Sequence, residues 1–190
     1  MKGVYTFSCV VLCLIFLAPT LVLTLPPIGE EKFSSLWILG PNHLMEGYPS
    51  TVVPGETYEI FLGVNNQMGS LTYYLVKVKI ANQSETLPYI STGTPSNLPA
   101  VYEYRLFLQN NATWERDFSF AFNEVVFEGN NSRISAISID GNNVNINKTA
   151  KRDTLDNKFY YELFFELWIY NSTISSFQFH HRAVGFRTAI

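Results

Sequence analysis

The chain has 190 residues and a formal net charge of −3; 47% of its residues are hydrophobic, 15% aromatic and 15% charged. This length leaves room for one domain of ordinary size, and the hydrophobic fraction excludes a disordered chain. A mildly acidic chain without a stripe of Lys and Arg is a poor binder of nucleic acid, because phosphate neutralisation needs clustered cations.

The first predicted element is an apolar helix over residues 1–25. Its run over 4–25 carries no charged side chain. A membrane-spanning helix needs about 20 apolar residues, whereas the core of a signal peptide has roughly 7–15. The length of the run and the lack of a small-x-small cleavage site favour a retained membrane anchor, with a cleaved signal peptide as the alternative. In both cases we expect the remainder outside the cytoplasmic membrane, either anchored at the cell surface or secreted.

Both cysteines, Cys9 and Cys13, lie in this apolar segment. The sequence after it therefore cannot form a disulfide, present a thiol nucleophile or bind zinc through thiolates. Five Asn-x-Ser/Thr sequons, none with a middle proline, support an exported and N-glycosylated domain. Their acceptor residues are Asn82, Asn111, Asn130, Asn147 and Asn171.

Residues 26–32 are predicted to form a short tether, and residues 33–190 a single extracellular domain. In that domain apolar residues recur with period two, and Gly, Pro and Asn mark the turns. The predicted strands are 33–39, 58–64, 71–80, 100–109, 114–122, 137–139, 144–146, 159–170 and 177–187. About eight strands with frequent turns and no convincing long helix predict an all-β fold, an Ig-like antiparallel β-sandwich.

Two local patterns add detail to this sandwich. The stretch 140–143 (DGNN) predicts a hairpin turn, because Gly and Asn tolerate positive φ angles. In the strand 71–80 the apolar residues alternate with Lys77 and Lys79, which predicts that both lysines face water.

The stretch 159–170 is the longest predicted strand. It is apolar on both faces apart from Glu162 and Glu166, which predicts a central position; a helix over 153–163 is the rival interpretation. Four residues along a strand separate the two carboxyl groups by about 13 Å. That exceeds the roughly 5–9.5 Å of a glycosidase pair, so we interpret both as structural charges. Their candidate partners are Arg105, Arg116 and Arg182.

Two further motifs suggest metal chemistry but fall short of it. His180 and His181 are neighbours in a predicted strand, so their imidazoles should point to opposite faces and cannot easily chelate one ion. The stretch 140–145 is similar to a calcium loop, but it lacks the glycine at the sixth position and has Lys151 where a bidentate Glu is needed. We therefore predict no metal site, no cofactor and no catalytic site.

Short stretches spread over the domain carry a family resemblance. They are 37–41 (WILGP), 48–49 (YP), 54–56 (PGE), 63–66 (GVNN), 93–95 (GTP), 114–115 (WE), 164–168 (FFELW) and 179–185 (FHHRAVG). In that order they resemble an archaeal family of uncharacterised membrane proteins, defined by a domain of unknown function numbered sixteen-sixteen. The resemblance implies an extracytoplasmic β-domain and no known activity.

Aromatic residues are the remaining candidates for a binding site. Trp37, Trp114 and Trp168 could face a ligand, with packing inside the sandwich as the alternative. The sequence favours a non-enzymatic interaction or assembly module at the cell surface. Its partners would be the membrane, through the N-terminal segment, and other surface proteins or a second copy. The alternative function is an extracellular carbohydrate- or solute-binding domain that uses exposed aromatics.

Overall fold

A computed structural model describes residues 3–5, 7–8, 11–13 and 31–190. The chain divides into a unit that ends at Lys32 and a second unit, Phe33–Ile190. Residues 3–5, 7–8 and 11–13 are helical, and no helix within the described ranges is long and apolar enough to cross a membrane. Most of the predicted anchor over 1–25, Cys9 included, lies outside the described residues, whereas Cys13 is exposed.

Residues 33–190 form nine β-strands, each paired antiparallel with its neighbours. They are β1 (Phe33–Leu39), β2 (Tyr58–Gln67), β3 (Thr72–Asn82), β4 (Tyr102–Leu108), β5 (Thr113–Glu128), β6 (Asn131–Ile139), β7 (Asn142–Lys151), β8 (Tyr160–Asn171) and β9 (Ser176–Ala189).

The strands form two sheets that pack face to face. The first sheet has the order β1-β2-β5-β6-β7 and the second β4-β3-β8-β9. In immunoglobulin lettering, β1, β2 and β5 take the places of strands A, B and E, and the second sheet reads C′-C-F-G. The strand β6 lies beside β5, where an immunoglobulin constant domain has strand D, but it follows β5 in the chain. The predicted antiparallel β-sandwich is confirmed.

The core lies between the sheets and follows from alternation along each strand. In β3, the side chains of Tyr74, Val76, Val78 and Ile80 point inward and are almost completely buried. The inner face of β5 contributes a run of phenylalanines that ends at Phe122. Each fully buried apolar side chain of this size stabilises the fold by about 1.5–3 kcal/mol, so the inward rows of both sheets supply the main driving force.

Two buried hydroxyl pairs connect the sheets across this apolar core. Ser34 of β1 meets the phenol of Tyr74 at 2.6 Å, and Ser132 of β6 meets the phenol of Tyr161 of β8 at the same distance. Burial raises the pKa of both phenols. Because buried hydroxyls are costly unless they are hydrogen-bonded, these pairs favour one alignment of the two sheets.

The strand pattern differs from the prediction mainly around β5 and β6. The strand β5 continues to Glu128 and turns through Gly129 and Asn130 into β6, a Gly-Asn hairpin signal that the prediction passed over. The rival helix over 153–163 is wrong, because β8 begins at Tyr160. This strand pairs with β3 on one side and β9 on the other, so its predicted central position is confirmed.

Candidate functional site

Four aromatic side chains form a row across the outer face of the second sheet. In spatial order they are Phe107 of β4, Tyr73 of β3, Tyr170 of β8 and Phe177 of β9. Tyr73 is the cross-strand partner of Phe107, Tyr170 is the partner of Phe177, and the rings of Tyr73 and Tyr170 lie 5.8 Å apart. Phe107 is 68% exposed and Tyr170 38% exposed. We call these four residues the aromatic row.

The rings of the aromatic row pack mainly against one another. Tyr73 and Phe107 stack with their centroids 4.1 Å apart and their planes at 6°, and Phe177 meets Tyr73 edge-on at 4.9 Å. A sugar needs an open ring face to stack on, and apart from the outer face of Phe107 the ring faces in these contacts are occupied. The row therefore presents ring edges and the outer side of Phe107, a surface suited to another protein.

One charged pair borders the aromatic row. Arg105 of β4 lies 5.6 Å from the ring of Phe177 and donates a hydrogen bond to the phenol oxygen of Tyr73 at 3.4 Å. It also forms a salt bridge of 3.1 Å with Glu103, in which both side chains are more than one third exposed. The border of the row therefore carries one acid and one base.

The other half of this outer face is covered by the β3–β4 loop, residues 83–101. Beneath it Lys79 and Glu166 form an ion pair of 2.8 Å with side-chain exposures of 3% and 0%. The backbone of Ser96 joins both charges: its N–H donates to Glu166 Oε1 at 2.7 Å, and its carbonyl accepts from Lys79 Nζ at 2.7 Å. The indole N–H of Trp168 donates to Glu166 Oε2 at 3.1 Å. The loop is thus fastened to the sheet by charge-assisted hydrogen bonds.

This arrangement corrects two predictions. Lys79 lies on the outer face, as alternation requires, but the loop removes it from the water that it was predicted to meet. The sequence predicts an arginine as the partner of Glu166, but its partner is Lys79. The arginines proposed for it bind elsewhere: Arg105 to Glu103, Arg116 to Asp140 and Arg182 to the carbonyl of Ser34.

His180 and His181 form a bulge in β9. Leu167 is paired with Arg182 and Trp168 with Phe179, so the two histidines are extra residues, and His181 has φ of 53°. His181 is exposed, and its ring lies against Gly93 of the β3–β4 loop, where a Cβ would come within 2.3 Å of the imidazole. Burial lowers the pKa of His180. In the described part of the chain no group of three or more His, Cys, Asp or Glu side chains could hold a metal ion.

A second candidate site lies on the outer face of the first sheet. Strand register places Trp37 of β1, Gly63 of β2 and Glu115 of β5 in one row. The indole of Trp37 lies against Gly63, where a Cβ would be 2.1 Å from the ring, so only glycine permits this approach. The indole N–H donates to Glu115 Oε2 at 2.8 Å. The tryptophan and the carboxylate are therefore held together across three strands.

The same Glu115 lines an open cleft of about 500 Å³. The lining also includes Trp114, as well as Phe61 and Asp117, which are the next cross-strand pair on the outer face. His43, from the turn after β1, stacks on Phe61 at 3.6 Å, and its Nδ1 lies 3.6 Å from Glu115 Oε1. We call this space, together with the Trp37 indole that is hydrogen-bonded to Glu115 at its border, the Trp37 cleft.

Arg116 also lines the Trp37 cleft, but its charge is engaged. Its guanidinium lies 2.9 Å from Asp140 Oδ2, which also accepts a hydrogen bond of 2.7 Å from the phenol of Tyr104. Burial and the bond to this carboxylate raise the pKa of Tyr104. The Trp37 cleft therefore keeps an excess of acidic groups.

The three tryptophans named by the sequence lie in different environments. Trp37 lies on the outer face of the first sheet. Trp114 packs against the core, with its ring 5.6 Å from Tyr104, and its half-buried side chain also lines the Trp37 cleft. Trp168 is on the outer face of the second sheet, and Lys77 Nζ lies 3.8 Å from its ring centroid. They form no common platform.

The five sequon asparagines also differ in their contacts. Asn111, Asn130 and Asn147 are exposed. Asn82 and Asn171 are half-buried and donate their side-chain amides to the Thr149 carbonyl and to Gln178, respectively.

Comparison with known proteins adds a family but no activity. Residues 27–154 match the family described as Domain of unknown function (DUF1616), and no curated protein matches the chain. Similar solved structures include the β-glucosidase from Listeria innocua, at 8% identity and a TM-score of 0.41, and its complex with glucose, at 8% and 0.40. Each match covers 84% of this chain and 16% of that one, so this chain spans a small part of those proteins. Likeness at this level carries no inference about function.

Proposed function

This chain belongs to the DUF1616 family of domains of unknown function, and we propose that its β-sandwich is a non-enzymatic assembly module that docks on a second copy of the chain. The observation that carries this proposal is the aromatic row. The row itself exposes stacked rings, and Arg105 at its border is already paired with Glu103. Neither the rings nor the paired arginine is a nucleophile or a general base at neutral pH.

The aromatic row has the composition of an interface centre. Tyr, Phe and Arg are enriched where protein surfaces meet, and exposed apolar side chains that touch one another mark such sites. From the exposure of its rings, the row offers roughly 300 Å² of apolar surface. A stable interface needs about 800 Å² per partner. The row would therefore be the apolar centre, with polar residues of the same face as its rim.

The charges beside the row favour a second copy as the partner. Arg105 and Glu103 give each copy one base and one acid at the edge of the same face. Because this pair carries no net charge, the borders of two copies that meet through their rows would not repel each other. Two-fold dimers, in which the same patch is used twice, are the commonest oligomers. The half of each face that the β3–β4 loop leaves uncovered can pack on the same half of the other copy, at the spacing of about 10 Å that stacked sheets have.

The remainder of the proposal concerns location. The apolar segment 1–25 would anchor the chain in the cytoplasmic membrane, and residues 33–190 would lie outside the cell. Anchored copies share one plane, which raises their effective concentration for one another. None of the sequon asparagines belongs to the aromatic row, and Asn171, which directly follows Tyr170, has its amide bonded to Gln178.

Self-association is tested with the variant Phe107→Asp. Phe107 is at the edge of the sheet and largely exposed, so the change should leave folding intact while placing a charge at the interface centre. We expect the full chain in detergent to sediment as a dimer, and the variant to dimerise at least about tenfold more weakly. Analytical ultracentrifugation over a range of protein-to-detergent ratios measures both.

Phe127→Asp is the matched control, because Phe127 is also an exposed phenylalanine but belongs to β5 of the first sheet. It should dimerise like the unmodified chain. A chain that stays monomeric at all ratios, or one whose dimer is unaffected by Phe107→Asp, would contradict docking through the row. Stoichiometric recovery of a different protein with the monomer would replace the second copy as partner.

Anchoring and glycosylation are tested together by the intact mass of the protein extracted from native membranes. We expect the full 190-residue chain with glycans on Asn111, Asn130 and Asn147, whose side chains are exposed. Asn82 and Asn171 should be modified less, because their amides are engaged in hydrogen bonds. A mass that lacks the N-terminal segment would exclude anchoring, and an unmodified mass would exclude the glycans.

A further inference from the structure

Trp37 is the tryptophan whose ring has a free face. One face lies on the backbone of Gly63. The ring is nonetheless only half-buried, and no aromatic ring or cationic group within residues 31–190 stacks on it. Trp114 and Trp168, in contrast, have contacts of this kind with Tyr104 and Lys77, respectively. A flat, rigidly held indole with one open face is a surface on which the C–H face of a sugar ring can stack.

Hydrogen-bond acceptors lie next to this open face. Glu115 uses one lone pair to accept the indole N–H and keeps further acceptor sites. The Asp117 carboxylate is exposed and has no hydrogen bond or ion pair with any residue of the described ranges. The two residues are two apart on one face of β5, so their side chains start about 7 Å from each other. With this separation, the two carboxylates can accept hydrogen bonds from hydroxyls at different positions of one sugar ring.

The charge and size of the Trp37 cleft restrict the class of ligand. Two carboxylates, with Arg116 already bound to Asp140, disfavour phosphates and acidic sugars. A volume of about 500 Å³ is within the range of small-ligand sites, but the cleft is open and more polar than apolar. Such a site suits a ligand that has many hydroxyl donors and one apolar face.

From these observations we infer that the Trp37 cleft binds a neutral pyranose unit of a glycan, with its C–H face on Trp37 and its hydroxyls donating to Glu115 and Asp117. The site lies on the first sheet and the aromatic row on the second, so sugar binding does not depend on the proposed self-association. Because the cleft is open, binding of a single sugar should be weak, with a dissociation constant of about 1 mM.

The test follows the indole N–H signals of the full chain by ¹H–¹⁵N NMR during titration with methyl glycosides of glucose, galactose, mannose and N-acetylglucosamine. A detergent without sugar headgroups is required, since a glycoside detergent would occupy the site. We expect the Trp37 signal to shift with at least one glycoside, because its N–H is shared with Glu115. The signal of Trp168, which lies on the other sheet, should remain in place.

Two variants separate a ligand site from a structural contact. Glu115→Gln keeps the shape and should weaken binding about threefold to tenfold, because a carboxylate accepts stronger hydrogen bonds than an amide. Glu124→Gln, an exposed carboxyl of the same strand, is the matched control and should bind like the unmodified chain. Trp37→Ala should abolish binding, as followed by the Glu115 and Asp117 backbone signals.

The inference is overturned if no glycoside shifts the Trp37 signal, or if Glu115→Gln and Glu124→Gln bind equally well. Tetramethylammonium is a second probe, and binding of this cation in place of the glycosides would assign the cleft to organic cations. If the chain binds glycosides, its affinities for a neutral polysaccharide and for a glycopeptide are then compared. Tighter binding of the polysaccharide indicates an envelope polymer as the ligand, and tighter binding of the glycopeptide indicates a protein-linked glycan. The variant Phe107→Asp should bind glycosides like the unmodified chain. The test of sugar binding is therefore independent of the test of self-association.

Discussion

Replacing Glu166 with Leu is expected to lower the free energy of unfolding by about 3–5 kcal/mol, because it leaves the ammonium of Lys79 buried without a counter-charge. The change also removes the acceptor for the Ser96 and Trp168 N–H groups. For a domain of this size the loss corresponds to a fall in Tm of about 10 °C. Urea unfolding followed by tryptophan fluorescence measures the free energy, and calorimetry measures Tm.

The double variant Lys79→Met with Glu166→Leu should be more stable than Glu166→Leu alone. It removes both charges and fills the space with apolar groups, which is often nearly neutral for a buried ion pair. The exposed pair of Glu103 and Arg105 is the control, and Glu103→Leu should cost less than about 1 kcal/mol. If Glu166→Leu costs no more than Glu103→Leu, or the double variant is less stable than the single one, the buried charge does not set the stability here.

The alternation of apolar residues was sufficient to predict the sandwich. The predicted strand 33–39 coincides with β1, and most other strands shift by only a few residues at their ends. Alternation also placed Lys77 and Lys79 correctly on the outer face of β3. It could not predict that Lys79 is buried, because its burial depends on the β3–β4 loop folding back over the sheet. That loop is rich in Ser, Thr and Pro, and its local sequence gives no sign of where it lies.

Both candidate sites depend on the register between neighbouring strands, and the sequence patterns did not predict that register. The aromatic row forms because Tyr73 is aligned with Phe107 on one side and with Tyr170 on the other. Each of these residues, considered by itself, is an aromatic residue of the kind common in any strand. Shifting one strand by one residue would turn its aromatic side chain to the opposite face of the sheet. Trp37, named as a ligand-facing candidate, acquires its setting only through alignment with Gly63 of another strand.

Asn66 shows how a polar residue at the end of a strand can connect a turn of the sandwich to a neighbouring strand. It is completely buried at the end of β2. Its amide nitrogen donates to the carbonyls of Ser70 and Leu108, both at 2.8 Å, and its Oδ1 accepts from the backbone N–H of Met68 and the phenol of Tyr74. One side chain thus joins the β2–β3 turn to the end of β4.

Asn66→Leu is therefore expected to cost about 3–4 kcal/mol of unfolding free energy, since it leaves several buried donors and acceptors unpaired. Asn65→Leu is the matched control, because Asn65 is half-buried and its side chain bonds only to the β5 end. It should cost less than about 1 kcal/mol. Equal losses in the two variants would contradict the role assigned to Asn66.

A pH series of Asn66→Asp gives an independent test of the same contacts. In the folded state the carboxylate would be desolvated and would face the carbonyl oxygens of Ser70 and Leu108, so its pKa should be raised above the unfolded value of about 3.9. The unfolded state then loses its proton first as the pH rises, and the variant is destabilised progressively above that value. We expect the stability gap between the variant and the unmodified chain to be smallest below about pH 4 and to widen until the folded-state pKa is passed. A gap that does not change with pH would mean that the carboxylate escapes to water, and that the amide of Asn66 is not held by the carbonyls as described.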